Sequence, residues 1–248
     1  MLVRITTLSV VIALVAVSSA WAQAQAQPPK LNYLDQIIDL TELIPPPPPT
    51  NSEAQRDDLA AVIIMQEQRT GAQIKRAIDN VLSIYRFDDV LGPKFKKENL
   101  PIMDAFMEAA HADARAILIA AKNAIQRLRP AAYSKDVLAL GGTPRLPTAY
   151  PSGGVVFTTL TSILLARMVP EKHFELSERN HEYAINRVVL GQHFPRDIRA
   201  GEIAGTVVAH ALMEKPAVMR DLQGARTELR KVVGLPPEPP AAAPAKPK

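Results

Sequence analysis

Apolar residues recur at helical spacing through most of the chain, and Pro, Gly or Ser stands where that rhythm stops. Ser52 stands ahead of one helix as a good N-cap. Ile74, Ile78, Val81, Leu82 and Tyr85 recur at helix spacing and read as one face. A longer helix opens near Asn99 with Pro101 in its first turn. It carries Ile102, Phe106, Ala110, Ala114, Leu118, Ala121 and Ile125 on one stripe, and is predicted to stop at Arg129 because Pro130 follows. Residues 152–169 are apolar nearly all round, with no charge before Arg167, which predicts a central helix. Three more are predicted, from about 171 to 190, 195 to 214 and 216 to 233. Gly201, Gly205 and Ala209 would let the second of these approach the buried helix closely. Alternating β-branched runs are missing. The expected fold is all-α, a single-domain helical bundle with a buried central helix.

The two ends depart from this pattern. Arg4, the apolar run Leu8 to Val17 and the small residues around Ala20-Trp21-Ala22 read as a secretory signal. The run falls short of the roughly 20 residues that span a bilayer. Residues 1–22 are therefore expected to be cleaved near Ala22, leaving a periplasmic or secreted protein without a membrane span. Residues 235–248, LPPEPPAAAPAKPK, offer almost nothing to a core and read as a disordered Pro/Ala-rich tail. One domain over 23–234 remains.

Composition narrows the chemistry. The chain has 248 residues, no cysteine and a formal charge of +4. Disulfides, Cys-ligated metals and a cysteine nucleophile are excluded, and so weak a charge does not advertise nucleic acid as a partner. His111, His173, His181 and His210 show no ligand spacing and read as surface, capping or packing residues. No metal or cofactor is expected.

Three clusters can face an anion. Lys122 and Arg129, seven apart, would emerge two turns apart at the rim of the long helix's apolar stripe. Buried there they need an anionic partner; alternatively their heads reach solvent. Pro151-Ser152-Gly153-Gly154 heads the buried helix, where free N–H groups and the dipole suit an oxyanion. Pro-Ser-Gly is also an ordinary helix start. Finally, His193 lies four residues before Asp197, a spacing that can fix one tautomer and free the other nitrogen as a nucleophile or base. The same pair is also found as a cap or a surface contact.

Taken together and in order, the clusters resemble the signature of the type 2 phosphatidic acid phosphatase (PAP2) and vanadium haloperoxidase superfamily. Its pattern is Lys-x6-Arg-Pro, then Pro-Ser-Gly-His, then Ser-Arg-x5-His-x3-Asp. Here it reads KNAIQRLRP at 122–130, PSGG at 151–154 and NRVVLGQHFPRD at 186–197. The resemblance is closest to the exported bacterial class A nonspecific acid phosphatases, and it extends to the proline-run segment LIPPPPPTNSEAQRDD and to HFPRDIRAGEIAG. It implies that Lys122, Arg129 and Arg187 hold phosphoryl oxygens together with Ser152 and the Gly153 amide. It also implies that His193 becomes a phosphohistidine, with Asp197 orienting it. The implied partners are a phosphate monoester, inorganic phosphate, vanadate as an inhibitor, and further copies of the same chain.

The resemblance breaks at Gly154, where the family has the His that protonates the leaving group. Asn186 in place of Ser is a smaller departure. The sequence thus implies a metal-independent phosphomonoesterase with an impaired leaving-group step. The alternative is an inactive phosphate-binding protein that kept the anion site. Haloperoxidase chemistry on bound vanadate is a third, weaker reading.

Overall fold

The computed structural model of the chain describes residues 30–80, 82–144 and 146–237. The expected signal segment at 1–22, Val81 and the tail from 238 onward lie outside the described residues. Among the described residues all regular structure is helical.

Nine α-helices follow one another among these residues: α1 (Glu53–Gln68), α2 (Gly71–Asp79), α3 (Asp88–Leu91), α4 (Pro101–Ala124), α5 (Pro130–Tyr133), α6 (Gly153–Met168), α7 (His173–Val189), α8 (Pro195–Met213) and α9 (Pro216–Val233). The apolar helix α6 is the axis, with α7 and α8 packed along it and α4 and α9 completing the surround. Eleven of its sixteen residues are buried, so it has no solvent face to keep polar. No helix among the described residues is long and apolar enough to cross a membrane.

α8 reaches backbone distance of α6 because two residues on the shared face lack side chains. A Cβ on Gly201 would stand 2.8 Å from the Ser152 carbonyl oxygen, and one on Gly205 would stand 2.7 Å from that of Val156. At the chain's beginning, buried Asp113 of α4 accepts the backbone N–H groups of Asn32, Tyr33 and Leu34 at 2.6, 2.9 and 3.0 Å. Those bonds tie residues 32–34 to the bundle and satisfy a carboxylate that the core alone would not tolerate. Ser52 caps α1, its Oγ accepting from the Gln55 N–H at 3.2 Å. Beyond α9, Leu235 and Pro236 still bond back to Arg230.

Two helices are shorter than the apolar pattern predicts. The face running from Ile74 to Tyr85 is broken, because α2 ends at Asp79 and Ile84–Phe87 form a separate 3-10 turn. Asn80 terminates the helix and its side chain accepts from Arg179 at 2.8 Å, while Ile78 and Leu82 face solvent. The long helix ends at Ala124, not Arg129, and Ile125 is already extended at φ −113°, ψ 95°. The cause is long-range. Straightening residues 125–129 carries Arg127 into a buried ion-pair network with Asp58 of α1 and Asp197 of α8. Arg129, ahead of Pro130, takes the extended backbone such a residue prefers.

Candidate active site

The C-terminal ends of α4 and α7 meet the N-terminal ends of α6 and α8, and the charged residues of the three clusters gather there. His193 is presented by a tight connection. Gly191 takes φ +65°, a left-handed conformation that ends α7, and Pro195 starts α8 two residues after the histidine. The ring is 4% exposed.

The Nε2 of His193 lies 3.1 Å from Nη1 of Arg129. A guanidinium offers only N–H groups, so Nε2 accepts and the ring proton belongs on Nδ1. Nδ1 faces Oδ2 of Asp197 at 3.5 Å, longer than a good hydrogen bond. Asp197 is drawn elsewhere as well: Oδ2 accepts the Phe194 N–H at 2.8 Å and Oδ1 accepts Arg127 Nη1 at 2.5 Å. Burial pushes the His193 imidazole down to about 4; Asp197 opposes this while Arg129 and Arg187 reinforce it. Above that pH the histidine is a neutral base with its lone pair turned toward the cations.

Lys122 and Arg129 do meet, though not as two turns of one helix. Lys122 sits in the last turn of α4 and is 4% exposed, its Nζ donating to the Thr148 carbonyl at 2.9 Å. It does not reach out to solvent. Burial and the neighbouring Arg129 push its ammonium down to about 7, against the pull of Asp197. Arg129 follows on the extended stretch, anchored by the carbonyls of Leu146 and Gln192. Burial, then Arg187, lowers it to about 10. Arg187, in the last turn of α7, is half-buried with its Cζ 6.0 Å from the Tyr183 ring centroid.

Ser152 stands at the head of α6 but makes no side-chain cap; its Oγ is buried without a partner. Its N–H donates to the Asp197 carbonyl at 3.0 Å, which joins α6 to α8 at this point. A Cβ on Gly153 would stand 2.8 Å from Leu118 Cδ2 and 3.6 Å from Lys122 Cε, so the α6 head lies directly against Lys122. Gly154 follows with its Cα beside the Tyr183 hydroxyl. Asn186 is buried, with an unpartnered Nδ2.

Sequence spacing missed the second layer. Arg127 bonds Gln55 and Asp58 at 2.6 Å each as well as Asp197, and its Cζ lies 4.3 Å from the Phe194 ring centroid. Arg196 then pairs with the other oxygen of Asp58 at 2.9 Å. Arg127 lies inside the first motif, but a helical reading of 122–129 turns it away from the site. The other histidines stay outside: His111 bonds Thr161 at 2.8 Å, His173 bonds the Pro170 carbonyl, and His181 and His210 are exposed. Among the described residues no three His, Asp or Glu side chains converge as metal ligands. A surface groove of about 590 Å³ around Asp89, Lys172, Phe174 and Arg179 contains none of the cluster's residues.

Comparison with known proteins agrees with this region. Residues 109–218 match the PAP2 superfamily. A non-specific acid phosphatase of Salmonella typhi is 36% identical over 87 residues, 35% of each chain. One from Providencia stuartii is 26% identical over 121 residues, 45% of this chain and 46% of its own. An acid phosphatase of Zymomonas mobilis is 30% identical over 83 residues, 34% of this chain and 31% of the relative. The matches thus span between 31% and 46% of the length of these relatives.

Proposed function

We propose, from the match of residues 109–218 to the PAP2 superfamily, that the chain is an exported, metal-independent acid phosphatase. It hydrolyses phosphate monoesters through a phosphohistidine. The observation that carries this reading is the Nε2 lone pair of His193, buried 3.1 Å from Arg129 at the meeting of three cations and a helix head. The matched relatives are named as acid phosphatases.

In the mechanism, Lys122, Arg129 and Arg187 neutralise the equatorial phosphoryl oxygens, with the Ser152 hydroxyl and the Gly153 N–H as further donors. Fixed donors aimed at developing charge are the main source of catalysis in phosphoryl transfer. His193 Nε2 attacks phosphorus in line as the ester oxygen departs. Asp197 stabilises the positive charge that then builds on the ring. Water cleaves the phosphohistidine and releases phosphate. Vanadate, which takes up the five-coordinate geometry of this transfer, acts as an inhibitor.

Purified protein is assayed on p-nitrophenyl phosphate beside His193→Ala. The wild type is expected to turn over and to form an acid-labile, alkali-stable phosphoenzyme, and His193→Ala to do neither. Wild-type turnover no greater than that of His193→Ala would end the enzyme reading. One observation favours a second reading, a phosphate-binding protein without turnover: residue 154 carries no proton donor. Phosphate binding by calorimetry with no wild-type turnover would select it.

A further inference from the structure

We propose that Tyr183 is a catalytic residue of this site, donating from α7 the proton that the leaving oxygen needs and that Gly154 cannot supply. The inference rests on the phosphatase reading. A Cβ built on Gly154 would stand 2.5 Å from the Tyr183 hydroxyl oxygen and 3.2 Å from Cε1. The hydroxyl therefore occupies the volume into which any side chain at 154 would extend, in the first turn of α6 beside Ser152 and Gly153. A missing donor and a phenol in its space are one arrangement. The glycine is what lets the tyrosine in.

Three titratable groups of the cluster have other engagements. Asp197 is bonded to Arg127 and Phe194, His193 is the nucleophile, and Lys122 is held by the Thr148 carbonyl. The Tyr183 ring is 5% exposed, and Arg187 lies over it at 6.0 Å. Burial raises the phenol above its ordinary range, with Arg187 opposing, so it holds its proton across the working pH. As His193 Nε2 bonds to phosphorus and the P–O bond breaks, the phenolic proton passes to the departing oxygen. The tyrosinate left behind faces Arg187. When water attacks the phosphohistidine, its oxygen bonds to phosphorus, its proton returns to the tyrosinate and the P–N bond breaks. One water is consumed, and both side chains are restored.

The test compares glycerol 2-phosphate, an alkyl ester, with p-nitrophenyl phosphate, whose leaving group needs little protonation. In Tyr183→Phe the ratio of alkyl to aryl kcat is expected to fall at least about tenfold, toward the 10²–10⁴ typical of a general acid. An unchanged ratio overturns the proposal, as does a wild type that cleaves only the aryl ester. Should Tyr183→Phe not fold, the wild type decides on a series of phosphate esters. A shallow dependence of kcat on leaving-group pKa supports a proton donor, and a steep one overturns it. Failure of the underlying phosphatase reading looks different: the aryl ester itself is then not cleaved above the His193→Ala level.

Discussion

The proposed mechanism needs His193 and Lys122 in opposite protonation states, and burial moves both toward one window. The histidine attacks only when neutral, hence above about 4. The lysine holds an anion only when charged, hence below about 7. Falling pH removes the nucleophile and rising pH removes a cation, so kcat/KM is expected to form a bell with limbs near those values. The substrate's own second ionisation, near pH 6 for phosphate esters, adds to the profile. Lys122→Arg separates the contributions, because a guanidinium stays charged and the substrate is unchanged. The alkaline limb is expected to move upward in that variant; superimposable profiles would show that Lys122 does not set it. At this scale the sequence was legible where a motif named a residue and mute where a residue's neighbour lies far along the chain. Spacing singles out Lys122, Arg129 and His193, and these three lie together in the fold. Arg127 and the proposed donor Tyr183 carry no such signal, since their neighbours Asp58 and Gly154 lie 69 and 29 positions away and no local period links them.

Among the elements, α6 to α9 were readable within a few residues of their ends, because apolar periodicity, Pro195, Pro216 and Gly191 are all local signals. The end of α4 was not readable, since the pull on Arg127 comes from helices distant in sequence. The glycine seam between α6 and α8 was also legible in advance, and it yields a paired prediction. Gly205→Ala places a methyl 2.7 Å from the Val156 carbonyl oxygen and 2.8 Å from Thr159 Cβ. Neither neighbour is the free end of a long side chain, so the helices must part, at a cost of about 1–3 kcal/mol. Gly224→Ala in α9 meets nothing closer than Ile102 Cγ2 at 3.6 Å. It is expected to be neutral or stabilising by about 0.5–1 kcal/mol through helix propensity. Urea unfolding of the two variants checks both signs, and equal midpoints would contradict the close approach.

For the whole molecule, acid is a threat that two buried histidines create, His193 within the cluster and His111 outside it. His111 and His193 are both held down to about 4, the first by burial and then Arg115, the second by burial foremost. An unfolded histidine titrates near 6.5. Between about 6.5 and 4 the unfolded chain therefore binds protons that the folded one refuses, and stability falls with pH by at most about 1.4 kcal/mol per unit for each ring. The melting temperature is expected to drop through this window. His111→Gln, which can still bond Thr161, is expected to make the slope shallower; an unchanged slope would remove His111 from the account. Inorganic phosphate at a hundred times its Kd is expected to restore about 2.7 kcal/mol, so the ligand steadies the protein where its proposed activity lies.

The seam has one more consequence. The Ser152 N–H is bonded to the Asp197 carbonyl, and one turn further along α8 Gly201 admits the Ser152 carbonyl. The donor-bearing end of α6 and the lead-in that carries His193 are thus welded into one block, with no hinge between them. On the phosphatase reading, selectivity among esters is then expected to come from the rim, where Leu146 and Thr148 on one side and α7 on the other flank the cluster. A lineage could exchange that rim for another and inherit the reaction centre unaltered.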